Sequence, residues 1–247
     1  MYTKRNKYRK NGVTANPKRA IRSAGRRYVL ENFAFLAYPL SMIPYLAITL
    51  MIAFTFHEFA HAFVAYKFGD MTAKNQGRLT LNALKHLDPI GTILIFIAGF
   101  GWARPVPVNR FFFKKPRLAG ILVSVAGPLS NLILACIGFI VGIGINRFGV
   151  IAPDSFYDFL NIFIRLNIVL FIFNLLPFPP LDGYRIIEDL APTHVRAKMT
   201  QYEQYGALIF LILVFTPLDK FTIEPIFGVV IPWVWNGLSN FFSSLFF

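Results

Sequence analysis

The chain has 247 residues, a net charge of +13 and a mean hydropathy of +0.54, with 55% hydrophobic and only 15% charged residues. That balance excludes an ordinary soluble domain and an intrinsically disordered chain, and it places most of the polypeptide in lipid. The lone cysteine, Cys136, excludes an internal disulfide and a cysteine-based metal site, so any bound metal must use histidines and carboxylates.

Residues 1–27 carry ten Lys or Arg and no acid, and a long apolar stretch begins at Phe33. A basic surface attracts nucleic acid, but this arrangement fits anionic lipid and a cytoplasmic anchor, so no nucleic-acid partner is expected. A cleaved signal peptide fits poorly, because the apolar region is too long and no small-residue site closes it. Apolar segments then recur at about 33–66, 90–103, 118–145, 159–176, 205–218 and 226–247. A spanning helix needs about 20 residues. The first segment is too long for one span and is interrupted by Pro39 and Pro44, which predicts a hairpin whose second helix starts near Tyr45. The second segment is too short to cross.

Charge gives a parity check. Lys67, Lys74, Arg78 and Lys85 fall in the loop 66–89, and Arg104, Arg110, Lys114, Lys115 and Arg117 in the loop 103–118, so both loops are expected on the cytoplasmic side. Segment 90–103 must then dip in and return. The 118–145 segment goes outward, the 159–176 segment comes back, and the last two form a final hairpin disturbed by Pro217, Pro225 and Pro232. The reading is an all-α polytopic membrane protein with about six hydrophobic segments and a re-entrant, partly strand-like loop near residues 90–109. Its parts are a basic cytoplasmic segment 1–32, a membrane-embedded core 33–184, and residues 185–247, a cytoplasmic loop followed by the last hairpin.

Within AFTFHEFAHAFVAY, His57 and His61 are four residues apart, so on a helix both rings project from one face and can share one ion. Glu58 completes an H-E-x-x-H, in which two imidazoles bind zinc and the glutamate takes a proton from water. A catalytic zinc needs a third protein ligand. His86, His194 and Asp88 sit in polar connections, where capping or solvated roles are the simpler reading. Asp182, in NLLPFPPLDG, follows Pro177, Pro179 and Pro180. These prolines must end a helix before it clears the membrane, which is tolerable only against protein or a watery cavity. A helix broken beside an acid presents a carboxylate to an ion, and two imidazoles with one carboxylate favour Zn2+.

HEFAH at 57–61, AGPLSN at 126–131 and NLLPFPPLDG at 174–183, with GRLTLNALKHLDPIGT at 77–92 and GWARPVPVN at 101–109, make the chain resemble the site-2 protease family of intramembrane zinc metalloproteases. The resemblance implies that His57, His61 and Asp182 bind zinc and that Glu58 is the general base. It also implies that Asn131 and Asn174 position the substrate or polarise its carbonyl; interhelical hydrogen bonds are the plainer role for both. It further implies a minimal form, without the PDZ or CBS domains of other members.

The activity implied is hydrolysis of a peptide bond in or beside a transmembrane helix of a membrane-protein or peptide substrate, in the lipid bilayer. At about 1.5 Å per residue, the metal lies roughly 10 Å from the Lys67 end of its helix, so a polar channel should open to the cytoplasm. A helical substrate must unwind to be cut, and ARPVPVN offers a strand-like edge to hold it. A membrane metal transporter and an inactive scaffold of the same fold are the competing readings. The sequence sets neither oligomeric state nor natural substrate.

Overall fold

The computed structural model describes residues 42–98 and 101–246. In chain order its helices are α1 (Ile43–Lys67), the single turn α2 (Thr72–Asn75), α3 (Pro89–Ala98), α4 (Pro116–Arg147), α5 (Asp154–Asn174), α6 (Asp182–Leu190), α7 (Thr193–Glu203), α8 (Gly206–Phe215) and α9 (Asp219–Phe246). Among the described residues there is no strand, and the one isolated bridge pairs Leu87 with Ala103 in antiparallel sense. Four stretches are long and apolar enough to span a bilayer: α1, α4, α5 and Lys220–Leu245 within α9. The chain is an all-α polytopic integral membrane protein.

The expected segments map onto these helices with two refinements. Segment 90–103 becomes α3, ten residues long. At about 15 Å this cannot cross a hydrocarbon core of about 30 Å. The Leu87–Ala103 bridge brings the two ends of the segment together, which is the path of a chain that enters and returns. The 205–218 segment likewise yields only the ten-residue α8. The basic segment 1–27 and the first half of the expected N-terminal hairpin lie outside the described residues. The second half is α1, which begins two residues before Tyr45 and carries Pro44 in its first turn, where a missing N–H costs no ladder bond.

Helix α4 is the central element, lying against α1, α5 and α6. Its buried face includes Ala119, Gly120, Ser124, Gly127 and Gly138, small residues that let neighbouring helices approach closely. At Gly138 a Cβ would stand 2.5 Å from Cγ1 of Ile164, so the α4–α5 contact depends on glycine there. Ile164, Ile168, Phe210, Phe227, Ile231 and Phe242 belong to the largest apolar cluster among the described residues, which also takes in Ala135 and Phe139 of α4.

At the N-terminal end of α4 a charged cluster ties the loop 101–115 to α6 and α7. Arg110 Nη1 reaches Oδ1 of Asp189 at 2.6 Å, and Arg196 Nη2 reaches the same oxygen at 3.2 Å. Burial pushes the Asp189 carboxyl above its ordinary range, and the two arginines pull it back. Thr200 donates to Glu188 beside it.

Candidate metal centre

Two elements distant in sequence bring three donors together. His57 and His61 share one face of α1 and are both buried, at 7% and 8% exposure. Asp182 is the first residue of α6, set there by the turn after α5 that includes the cis Pro179–Pro180 bond. Oδ2 of Asp182 lies 3.2 Å from Nε2 of His57 and 3.3 Å from Nε2 of His61, and the two Nε2 atoms are 3.0 Å apart. Gly183 makes this turn possible, because a Cβ there would meet the Leu175 carbonyl oxygen at 2.2 Å.

The second nitrogen of each ring fixes what the first can do. His61 Nδ1 is 2.7 Å from the Val123 carbonyl oxygen, which can only accept, so Nδ1 carries the proton. His57 Nδ1 is 2.8 Å from Oδ1 of Asn131. The amide of Asn131 is oriented independently, since its Nδ2 donates to the Ala53 carbonyl at 3.3 Å and to Oδ1 of Asn167 at 3.1 Å. Its oxygen therefore faces the imidazole, and His57 is also protonated at Nδ1. With Nδ1 of each ring turned outward to an oxygen, both Nε2 atoms face Oδ2 of Asp182, so three possible ligand atoms converge where one cation could sit.

The donor set fits zinc. Ligand bonds of about 2.0–2.1 Å in tetrahedral geometry need donor separations of about 3.3 Å, and an imidazole ligand whose other nitrogen donates to an oxygen is the usual outer support. Helix α4 leaves space for the rings: a Cβ on Gly127 would stand 2.3 Å from His61 Nε2 and 2.7 Å from His57 Cε1. Pro128, next in the chain, lacks an N–H and releases the Ser124 carbonyl from the helix ladder at the same level.

Glu58 is buried at 7% exposure, and its Oε2 accepts the backbone N–H of Val106 at 2.8 Å. The residue thus faces the segment 101–109, outside the trio of donors. Asn131, at 0% exposure, has both ends of its amide engaged with protein. Asn174 ends α5 half-buried and donates to the Leu170 carbonyl of its own helix at 2.9 Å. Asn167 is a residue that the sequence reading passed over. It is fully buried, donates to the Phe163 carbonyl at 2.9 Å and accepts from Asn131. Its signal was available: a lone amide inside the apolar run IFIRLNIVLFIF needs an internal partner.

Fold and site define a polytopic membrane protein with a buried centre of two imidazoles and one carboxylate. A profile of peptidase family M50 matches residues 142–217. The provisionally named zinc metalloprotease YwhC of Bacillus subtilis is 65% identical over 195 residues, covering 77% of this chain and 89% of that protein. The similarly named Rip2 of Mycolicibacterium smegmatis is 30% identical over 201 residues, 78% of this chain and 74% of that one. MJ0611 of Methanocaldococcus jannaschii is 30% identical over 159 residues, 64% and 73% of the two chains. The chain belongs to peptidase family M50, the site-2 protease family. No solved structure matches it.

Proposed function

We propose that the protein is an intramembrane zinc endopeptidase that hydrolyses peptide bonds in or near transmembrane helices of membrane-protein substrates. The observation that carries this is the convergence of His57, His61 and Asp182, three lone-pair donors within 3.3 Å of one another beside Glu58. His57, His61 and Asp182 hold the zinc. When bound, zinc polarises the scissile carbonyl and lowers the pKa of water toward about 7.

The chain's own groups do the rest. Glu58 accepts the proton of the attacking water and passes it to the leaving amine, a role supported by its place between the two histidines in sequence and by its burial. Asn131 acts on substrate through His57, by fixing the ring's protonated nitrogen and its direction. Asn174, whose Nδ2 donates to the Leu170 carbonyl within α5, keeps its amide oxygen at the broken end of the helix to meet a substrate N–H. An unwound substrate laid along the outward edge of residues 104–108 would donate to the carbonyls of Pro105 and Pro107. The N-terminus and the access route to the centre are cytoplasmic in this reading, supported by the basic loops at the Lys67 end of α1.

The test compares wild type with Glu58→Gln, purified in detergent, for bound zinc and for cleavage of single-span substrates. The expected result is one zinc in both and a loss of about 10²–10⁴ in kcat for the variant. Equal turnover by both would remove Glu58 from its role, and zinc flux in vesicles without proteolysis would turn the reading to transport.

A further inference from the structure

The prolines at 105 and 107 decide which side of the segment 103–109 can donate a hydrogen bond. In extended backbone, successive residues send their N–H to opposite sides. Arg104 N–H goes to the His86 carbonyl at 2.8 Å, and Val106 N–H, two residues on, goes to Glu58 Oε2 at 2.8 Å. Pro105 and Pro107, at the alternate positions, have no N–H to give. Every donor from Arg104 to Pro107 therefore points inward, one securing the segment and the next reaching the glutamate of the H-E-x-x-H.

The segment is anchored on both sides of Val106 by the loop that follows α1. Before it, Arg78 Nη2 donates to the Arg104 carbonyl at 2.6 Å, and His86 Nε2 is 2.7 Å from the Thr80 carbonyl, which braces the loop from within. After it, Asn109 N–H donates to Asp70 Oδ2 at 2.6 Å. Asp70 and His86 are at 0% exposure and Arg78 at 6%, so these polar groups are withdrawn from solvent where a packing role could have used apolar ones. Val106 itself is buried against Ala62 and Ala73. The chemistry thus places a rigidly held N–H at one oxygen of Glu58.

We propose that this buckle positions the general base: Val106 N–H holds Oε2 of Glu58 and leaves Oε1 as the proton-accepting oxygen, with Arg78 the positioning residue that keeps Val106 in register. The inference rests on the reading of Glu58 as the base. A glutamate has three rotatable bonds, and a carboxylate free to turn among its rotamers spends much of its time away from the water it must deprotonate. Zinc binding does not pass through this contact, so the effect belongs in kcat and leaves metal content intact.

The experiment uses the full chain, zinc-loaded in detergent, with a single-span substrate. Val106→Pro removes the N–H and keeps the backbone extended, whereas Val106→Ala trims the side chain and keeps the N–H. The expected outcome is a kcat about tenfold to a hundredfold lower for Val106→Pro than for Val106→Ala, at equal zinc content and with KM moved less than threefold. Arg78→Met should lower kcat in the same manner, and Arg78→Lys, which restores one donor, should recover part of it. Equal kcat for the two Val106 variants overturns the proposal, as does a difference carried by KM alone. Should Val106→Pro fail to retain zinc, the Arg78 pair decides: a kcat loss recovered by lysine supports the proposal, and wild-type kcat in Arg78→Met overturns it. Glu58→Gln separates the two levels. If that variant still hydrolyses substrate, the base assignment itself fails. If it is inert while the Val106 pair is equal, only the buckle falls.

Discussion

Helices α1 and α9 are both long enough to span, yet they are built on opposite plans. In the spanning window of α1, 44% of the residues are buried, among them His57, Glu58 and His61, and polar atoms of all three are engaged. In α9 only 17% of the window is buried, and it meets the rest through Ile223, Phe227, Ile231 and Phe242. Where polar groups are buried in lipid, each partner is specified by geometry, because a missing hydrogen bond has no water to replace it. Where only apolar groups meet, lipid tails compete on nearly equal terms, and packing alone selects the arrangement. Substitutions in the first region should therefore act on the centre, and those in the second on stability.

The largest effect expected is that of Asp182→Ala, which removes one of three donors and leaves two lone-pair nitrogens 3.0 Å apart without an anion. Its zinc affinity should fall by more than the roughly 10–100-fold that loss of an outer-shell partner costs. Metal analysis after dialysis against a weak chelator reads this, and a full zinc complement would remove Asp182 from the ligand set. Gly127→Ala comes next. Its methyl would lie 2.3 Å from His61 Nε2, so either ring or helix must move, and zinc occupancy should drop although no ligand is changed.

Asn131→Leu keeps the volume and removes the acceptor at His57 Nδ1. The ring can then carry its proton on either nitrogen, and zinc should bind about 10–100-fold more weakly. Asn167→Leu acts one step further out. Asn131 retains its bond to Ala53 in that variant, so the loss should be several-fold smaller. Competition with a zinc chelator ranks the two, and the reverse order would break the idea that polar bonds in this region form a directed chain ending at the metal.

Much of this site was legible because its chemistry is local. The four-residue spacing of His57 and His61 sets two rings on one helical face wherever the helix lies. The prolines before Asp182 announce a helix broken in lipid, which is costly without a reason nearby. Asn131 was visible as a motif residue, but its service to His57 depends on α4 crossing α1 at Gly127, a contact between residues more than 70 apart in sequence. ARPVPVN likewise read as a strand-like edge open to substrate. The structure shows its inward donors already spent on His86 and Glu58, because the partners come from a loop that sequence alone leaves unplaced. Similarly, the 205–218 segment was apolar enough to suggest one arm of a hairpin, but helix α8 ends after ten residues.

The C-terminal region gives the smallest effects and the sharpest contrast. Phe242 is buried at 7% exposure, with its ring stacked on Phe139 at 6.1 Å. Phe242→Ala should cost up to about 3 kcal/mol, since the cavity term persists even where lipid reduces the transfer term. Zinc affinity should not change, because none of the bonds that fix the donors involves α9. Trp233, on the same helix, is 75% exposed to the surroundings of the protein. Trp233→Ala should fall within about 0.5 kcal/mol of wild type. Thermal unfolding in detergent, followed alongside zinc content, separates the pair. If Phe242→Ala released zinc as readily as Gly127→Ala, apolar packing at the periphery would be setting the geometry of the centre, and the division between the two regions would not hold.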